Sequence, residues 1–150
     1  MKPTLRAAVS CLCLSMTATF ALAQGEPLRP VALTPDELVW VGLGELGSAA
    51  IVVGDNKKPG MYSGLLKMTS GLRVQPHSHP DNRVVTILSG TFYVGYGDKF
   101  DESKLKALPP GSVYTEPANQ PHFAWTKDGE VLLQAVGIGP SGTTPIRPKP

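Results

Sequence analysis

An all-β barrel or sandwich is the fold this sequence predicts, and three observations predict it. Short runs rich in Val, Ile, Tyr and Phe recur along the chain. Turn residues interrupt them every ~8 to 12 positions, which suits short antiparallel strands. Only one segment, residues 101–106, has acids before bases in the order that favours a helical turn.

The elements follow in order. Lys2 and Arg6 precede an apolar stretch over residues 7–22, closed by Ala21-Leu22-Ala23. A basic start, an apolar middle and small residues before a cut describe a secretory signal peptide, so residues 1–23 are expected to be removed on export. The apolar run is shorter than the ~20 residues that span a bilayer, so no membrane anchor is expected and the mature protein is placed in the periplasm or medium. Both cysteines, Cys11 and Cys13, fall in that segment, leaving the mature chain without a disulfide. Without Lys2 and Arg6 the 14 basic residues become 12, matching the 12 acidic ones. Such a neutral chain offers no electrostatic footprint for nucleic acid or an anionic membrane.

Residues 24–37 form a proline-rich, extended lead-in, and one barrel domain is expected over residues 38–136. Residues 36–41 read as a short strand or turn, with Trp40 as a core or interface anchor. Strands are expected at 49–53, 62–68 and 72–75, and residues 87–93 read as a hairpin turning at Ser89-Gly90. Further strands are expected at 112–115, 122–125 and 131–136. Residues 137–150, rich in Gly and Pro, read as an exposed tail with little regular structure. No internal repeat, phosphate-binding glycine loop or Ser/Cys nucleophile motif is present.

The chemistry concentrates in the 3 histidines. His77 and His79 are one residue apart in an extended stretch, so both imidazoles face one side. His122 begins another strand-like segment just after a turn, in a position to join them. An HxH pair on a strand is often only polar surface. Three neutral imidazoles with open positions, however, suit a reactive metal rather than a purely structural one. The cofactor expected is one divalent transition metal, with Fe, Mn, Zn, Ni and Cu all open.

The pattern Gly71-x5-His77-x-His79-x3-Arg83-x6-Gly90, followed by Gly111-x5-Pro117-x-Asn119-x2-His122-x3-Thr126, resembles the two motifs of the cupin superfamily. The resemblance implies a single antiparallel jelly-roll barrel with at most one short helical turn. It also implies that His77, His79 and His122 bind one metal ion. Three positions depart from the family pattern: Arg83 stands where the motif has its ligating glutamate, Asn119 where it has glycine, and Thr126 where it has asparagine. Asn tolerates left-handed backbone, whereas a guanidinium cannot ligate a cation.

Arg83 therefore has two readings. One is a structural ion pair with Asp81, Glu102 or Glu116. The other follows from strand parity, which places residues 81, 83, 85 and 87 on the histidines' face. There Arg83 would orient a small anionic molecule such as a carboxylate beside the metal. Glu116 is a candidate fourth ligand from the second motif. Tyr93, Tyr114 and Trp125, with Tyr62, Phe92 and Phe123, are candidates for the pocket wall, although aromatic residues more often simply fill a core. The resemblance allows a dioxygenase-like metalloenzyme, and it equally allows a non-catalytic binder of small molecules without a metal. Cupins often pair through their outer sheets, so a homodimer with Trp40 near the contact is a further expectation.

Overall fold

The computed structural model describes residues 27–147. The expected signal segment, with Cys11 and Cys13, and residues 148–150 lie outside the described residues. The strands are β1 (Val41–Gly42), β2 (Gly47–Val53), β3 (Gly60–Met68), β4 (Arg73–Ser78), β5 (Arg83–Ser89) and β6 (Phe92–Tyr96). They continue with β7 (Lys106–Leu108), β8 (Val113–Glu116), β9 (His122–Trp125), β10 (Val131–Gly139) and β11 (Thr144–Pro145). All pair antiparallel, in two sheets ordered β1-β2-β3-β10-β5-β8 and β11-β4-β9-β6-β7.

From β3 onward the chain passes from one sheet to the other at almost every connection, which wraps it into a jelly-roll barrel. The inner faces meet in a core of Met68, Val85, Ile87, Phe92, Val94, Leu108, Ala124, Val131 and Leu133. Alternation selects these residues: in β5, Val85 and Ile87 are buried while Val84 and Leu88 are exposed.

The expected helical turn is present as a 3₁₀ turn, Glu102–Lys104, with the Asp101 carboxylate accepting from the Ser103 amide. Two more 3₁₀ turns, Pro35–Glu37 and Gly44–Leu46, add to it. The hairpin expected over residues 87–93 requires correction. Both of its strands exist, yet β5 pairs with β10 and β8, and β6 pairs with β7 and β9. The connection is an arch between sheets, a distinction that period-two alternation cannot make. Trp40 is half-buried, with the Lys67 ammonium 4.9 Å from its ring centre. β10 continues past Val136 to Gly139, and the tail then returns to pair β11 with β4 beside His77.

Three glycines of the quoted motifs occupy left-handed backbone: Gly71 at φ 75°, Gly90 at φ 76° and Gly111 at φ 84°. Thr126 is fully buried and staples the Gly71 turn, its hydroxyl donating to the Thr69 carbonyl and accepting from the Leu72 amide. Gly90 is also crowded, since a Cβ there would lie 2.3 Å from the Glu130 carbonyl oxygen, whereas Gly111 faces open space. Gly111→Ala is therefore expected to cost the ~1 kcal/mol of left-handed strain, and Gly90→Ala at least twice as much. Equal urea-unfolding losses in the two variants would show that packing at Gly90 adds nothing.

Candidate metal centre

β4 and β9 are neighbours, and their register sets His77 directly opposite His122. His79 lies just past the end of β4, where its carbonyl accepts a 2.7 Å hydrogen bond from the Asn119 amide. Asn119 has φ 61°, the left-handed conformation that asparagine tolerates. The three rings converge, with centroids 4.3 Å apart for His77–His122, 4.9 Å for His77–His79 and 5.1 Å for His79–His122. One ligand nitrogen from each lies within 4.8 Å of the others.

The outer nitrogen of each ring faces a backbone carbonyl. His77 Nδ1 is 2.8 Å from the Gln75 oxygen, His79 Nδ1 is 2.6 Å from that of Gly142, and His122 Nδ1 is 3.2 Å from that of Gln120. A carbonyl can only accept, so these contacts place the proton on Nδ1 in all three rings. In the neutral form of such a ring Nε2 keeps a free lone pair. Burial lowers the pKa of His77, and lowers that of His79 to about 4 despite the opposing Gly142 carbonyl. Both rings are therefore neutral at pH 7, the state a metal requires.

Across the barrel, Arg83 at the start of β5 stands opposite Glu116 at the end of β8. Glu116 is buried, with Oε2 3.3 Å from His79 Nε2 and Oε1 3.4 Å from His122 Nε2. The Tyr114 hydroxyl donates to Oε1 at 2.8 Å, and Arg83 Nη1 lies 3.5 Å from Oε2. Burial raises the Glu116 carboxyl, whereas positive charge at the His122 and His79 Nε2 positions, with the Tyr114 hydroxyl, would lower it to about 2. Burial and the neighbouring carboxylate push the Tyr114 phenol well above its ordinary value.

Arg83 lines the cavity and is ion-paired to Asp81 and Glu116, as its structural reading requires. Its Nε lies 3.3 Å from Asp81 Oδ2, and Nη2 donates to Ser141 Oγ and, at 3.2 Å, to the Gly142 carbonyl. Asp81 also accepts from the Tyr62 hydroxyl at 2.6 Å and from the Ser141 hydroxyl at 2.7 Å. Burial opposes ionisation of Asp81, and these partners lower its pKa nonetheless. Glu102, the third candidate partner for Arg83, pairs with Arg73 instead at 2.7 Å.

The residues present fit a cation. With their protons on Nδ1, two imidazoles turn lone pairs toward a carboxylate at 3.3 and 3.4 Å, an arrangement repulsive without positive charge between them. Correspondingly, Glu116 Oε2 and His122 Nε2 are buried without a hydrogen-bond partner. Buried polar atoms are seldom left so.

Behind these groups is a cavity of ≈ 460 Å³ lined by the three histidines, Arg83, Glu116, Tyr62, Tyr114, Phe92 and aliphatic residues including Leu66, Met68 and Val74. Tyr93 and Trp125, expected in its wall, are a correction. They sit opposite each other in the β6–β9 register, and alternation turns both outward while Val94 and Ala124 face in. Tyr93 donates to Asp128, and Trp125 stacks under the Arg73 guanidinium at 4.1 Å. Phe123 also points away from the cavity, into a second apolar layer under Phe100. Ser141 and Gly142 are the site residues that sequence reasoning missed, and the separations of 58 to 63 residues linking them to Arg83 and His79 leave no local signal.

No protein-family model matches the sequence, and no curated protein does. Solved structures do match. An RmlC-like cupin from Shewanella frigidimarina superposes with TM-score 0.59 at 15% identity, covering 80% of this chain and 95% of that one. The chain has the cupin fold. The polyketide cyclase RemF from Streptomyces resistomycificus gives TM-score 0.65 at 12% identity over 81% of this chain and 88% of its own. A single-substitution mutant of salicylate 1,2-dioxygenase from Pseudoaminobacter salicylatoxidans gives 0.56 at 13% identity, over 69% of this chain and 31% of its own.

The Asp81 network makes a graded prediction. Asp81→Ala leaves the partly buried Arg83 without its nearest carboxylate and is expected to cost ~3 kcal/mol, the lower end of the scale for one half of a buried pair. Tyr62→Phe removes one hydrogen bond to a charged acceptor and should cost ~1.5 kcal/mol. Denaturant titration of both variants checks the order, and a larger loss for Tyr62→Phe would refute it.

Proposed function

We propose that this cupin binds one divalent transition metal through His77, His79 and His122 and acts on a small carboxylate-bearing molecule in the adjoining cavity. The observation that carries the reading is the convergence of three imidazoles, each held by an Nδ1 contact to a backbone carbonyl. A metal held there supplies Lewis acidity and, if it is iron, access to oxygen chemistry.

The chain's own residues account for the choice of an anion. Asp81 and Glu116 together exceed Arg83 by one negative charge, so a divalent cation leaves the site one positive charge in excess. One carboxylate neutralises that excess in a buried setting, where the attraction is least screened. Arg83 lines the cavity and contributes to this field, although much of its donor capacity is already committed to Asp81, Ser141 and Gly142. Leu66, Met68 and Val74 suit an apolar body behind the anionic group, and 460 Å³ is within the usual range for small-molecule sites. A dioxygenase acting on salicylate, an aromatic carboxylate, shares the fold and is consistent with this class of ligand.

Metal analysis by mass spectrometry on untagged protein from its native compartment tests the reading. About one equivalent of a single transition metal is expected, falling below about one-tenth in His122→Ala. Less than one-tenth in the unaltered protein would favour the alternative, a cupin that binds small molecules without metal.

A further inference from the structure

We propose that Glu116 supplies a fourth protein ligand to the metal, and that Arg83, its partner across the β5–β8 pair, is a positioning residue that holds this carboxylate in place. The inference rests on the three-histidine reading and adds a ligand from the strand facing the histidines.

The geometry around the carboxylate leaves it little else to do. Glu116 Oε1 accepts from the Tyr114 hydroxyl, which fixes one edge of the group, while Oε2 is buried with no donor in hydrogen-bond geometry. Both oxygens point at imidazole nitrogens, Oε2 at His79 and Oε1 at His122, at 3.3 and 3.4 Å. The Nδ1 atoms of those rings already face carbonyls, and neither Glu116 Oε2 nor His122 Nε2 has a hydrogen-bond partner. A cation coordinated by the two nitrogens and the carboxylate satisfies all three acceptors at once.

Arg83 explains how a carboxylate can remain ionised and aimed there. Its guanidinium spans Asp81 on one side and Glu116 on the other, at 3.3 and 3.5 Å. It cannot coordinate a metal and would repel one. With Asp81 and Glu116 both ionised, its charge is offset and it becomes a clamp on the Glu116 side chain. The β5–β8 register places residues 83 and 116 directly opposite each other, so a carboxylate from either strand enters the same end of the cavity.

The test uses metal-stripped, full-length mature protein and added Zn(II), with dissociation constants from competition against a chromophoric chelator and folding checked by melting temperature. Glu116→Gln, nearly isosteric, is expected to weaken Zn(II) binding by at least the ~10- to 100-fold that loss of a ligand's outer partner costs. Co(II) substitution should show the loss independently, as a change in visible absorption between the unaltered protein and Glu116→Gln. Adding Arg83→Glu to Glu116→Gln returns a carboxylate from the opposite strand and should recover most of the affinity, which a generally damaged barrel could not do. Arg83→Met should weaken Zn(II) binding and Arg83→Lys should restore part of it, because the ammonium keeps the charge. Unchanged affinity and absorption in Glu116→Gln would overturn the fourth ligand while leaving the three histidines intact. Unchanged affinity in Arg83→Met would overturn the clamp. Failure of the unaltered protein to bind either metal would instead remove the three-histidine reading, and this proposal with it.

Discussion

Lone pair set against lone pair is the constraint around which this barrel's polar end is built. Three imidazoles present acceptor nitrogens to a shared space, and a buried carboxylate presents acceptor oxygens to the same space. Each group is locked by contacts behind it: carbonyls on the rings, a tyrosine hydroxyl on the carboxylate. A protein could relieve such a clash by turning one side chain away. Here the contacts behind each group oppose that relief, so the arrangement is one that could hold a positive charge without rearranging.

The topology brings these groups together without requiring them to be near in sequence. His77 and His122 belong to one sheet, Arg83 and Glu116 to the other, and two register pairings place each couple face to face. The apolar core built on Met68, Val85, Ile87, Phe92 and Leu133 contains no charged group, although all of these but Ile87 also line the cavity. Hydrophobic burial at ~25 cal/mol per Å² therefore stabilises the barrel independently of the polar end, whose charged groups cost desolvation. This division of labour lets the site carry unsatisfied atoms that a small metal-nucleated domain could not tolerate.

Features that depend on local parity and on turn chemistry are legible in the sequence. The HxH pair, the inward set at 81, 83, 85 and 87, and the left-handed backbone at Gly71, Gly90, Gly111 and Asn119 all follow from rules acting over a few residues. Features that depend on which strand lies beside which are not. Alternation at residues 87–93 is the same for a hairpin and for an arch between sheets, so it cannot decide the pairing. Tyr93 and Trp125 have residue types that suit a pocket, yet parity with Val94 and Ala124 turns them out. Ser141 and Gly142 lie in a stretch whose Gly and Pro content describes its flexibility in the unfolded chain. That content says nothing of the site they reach after the chain returns to β4.

Arg83 shows why a departure from a family motif has to be judged by its surroundings. Read alone, an arginine in place of a ligating carboxylate removes a negative charge and adds a positive one, a change hostile to any cation nearby. In the barrel that change is answered twice, by Asp81 two residues before it and by Glu116 across the strand pair, so these three side chains sum to one negative charge. Asp81 is in turn held by Tyr62 and Ser141, and Ser141 accepts from Arg83, so the arginine's position is set by the C-terminal return of the chain as well as by its own strand. The same segment also supplies the Gly142 carbonyl that fixes the His79 ring. Charge balance at Arg83 and ring orientation at His79 therefore have a common structural origin, and disturbing residues 141–142 would act on both at once.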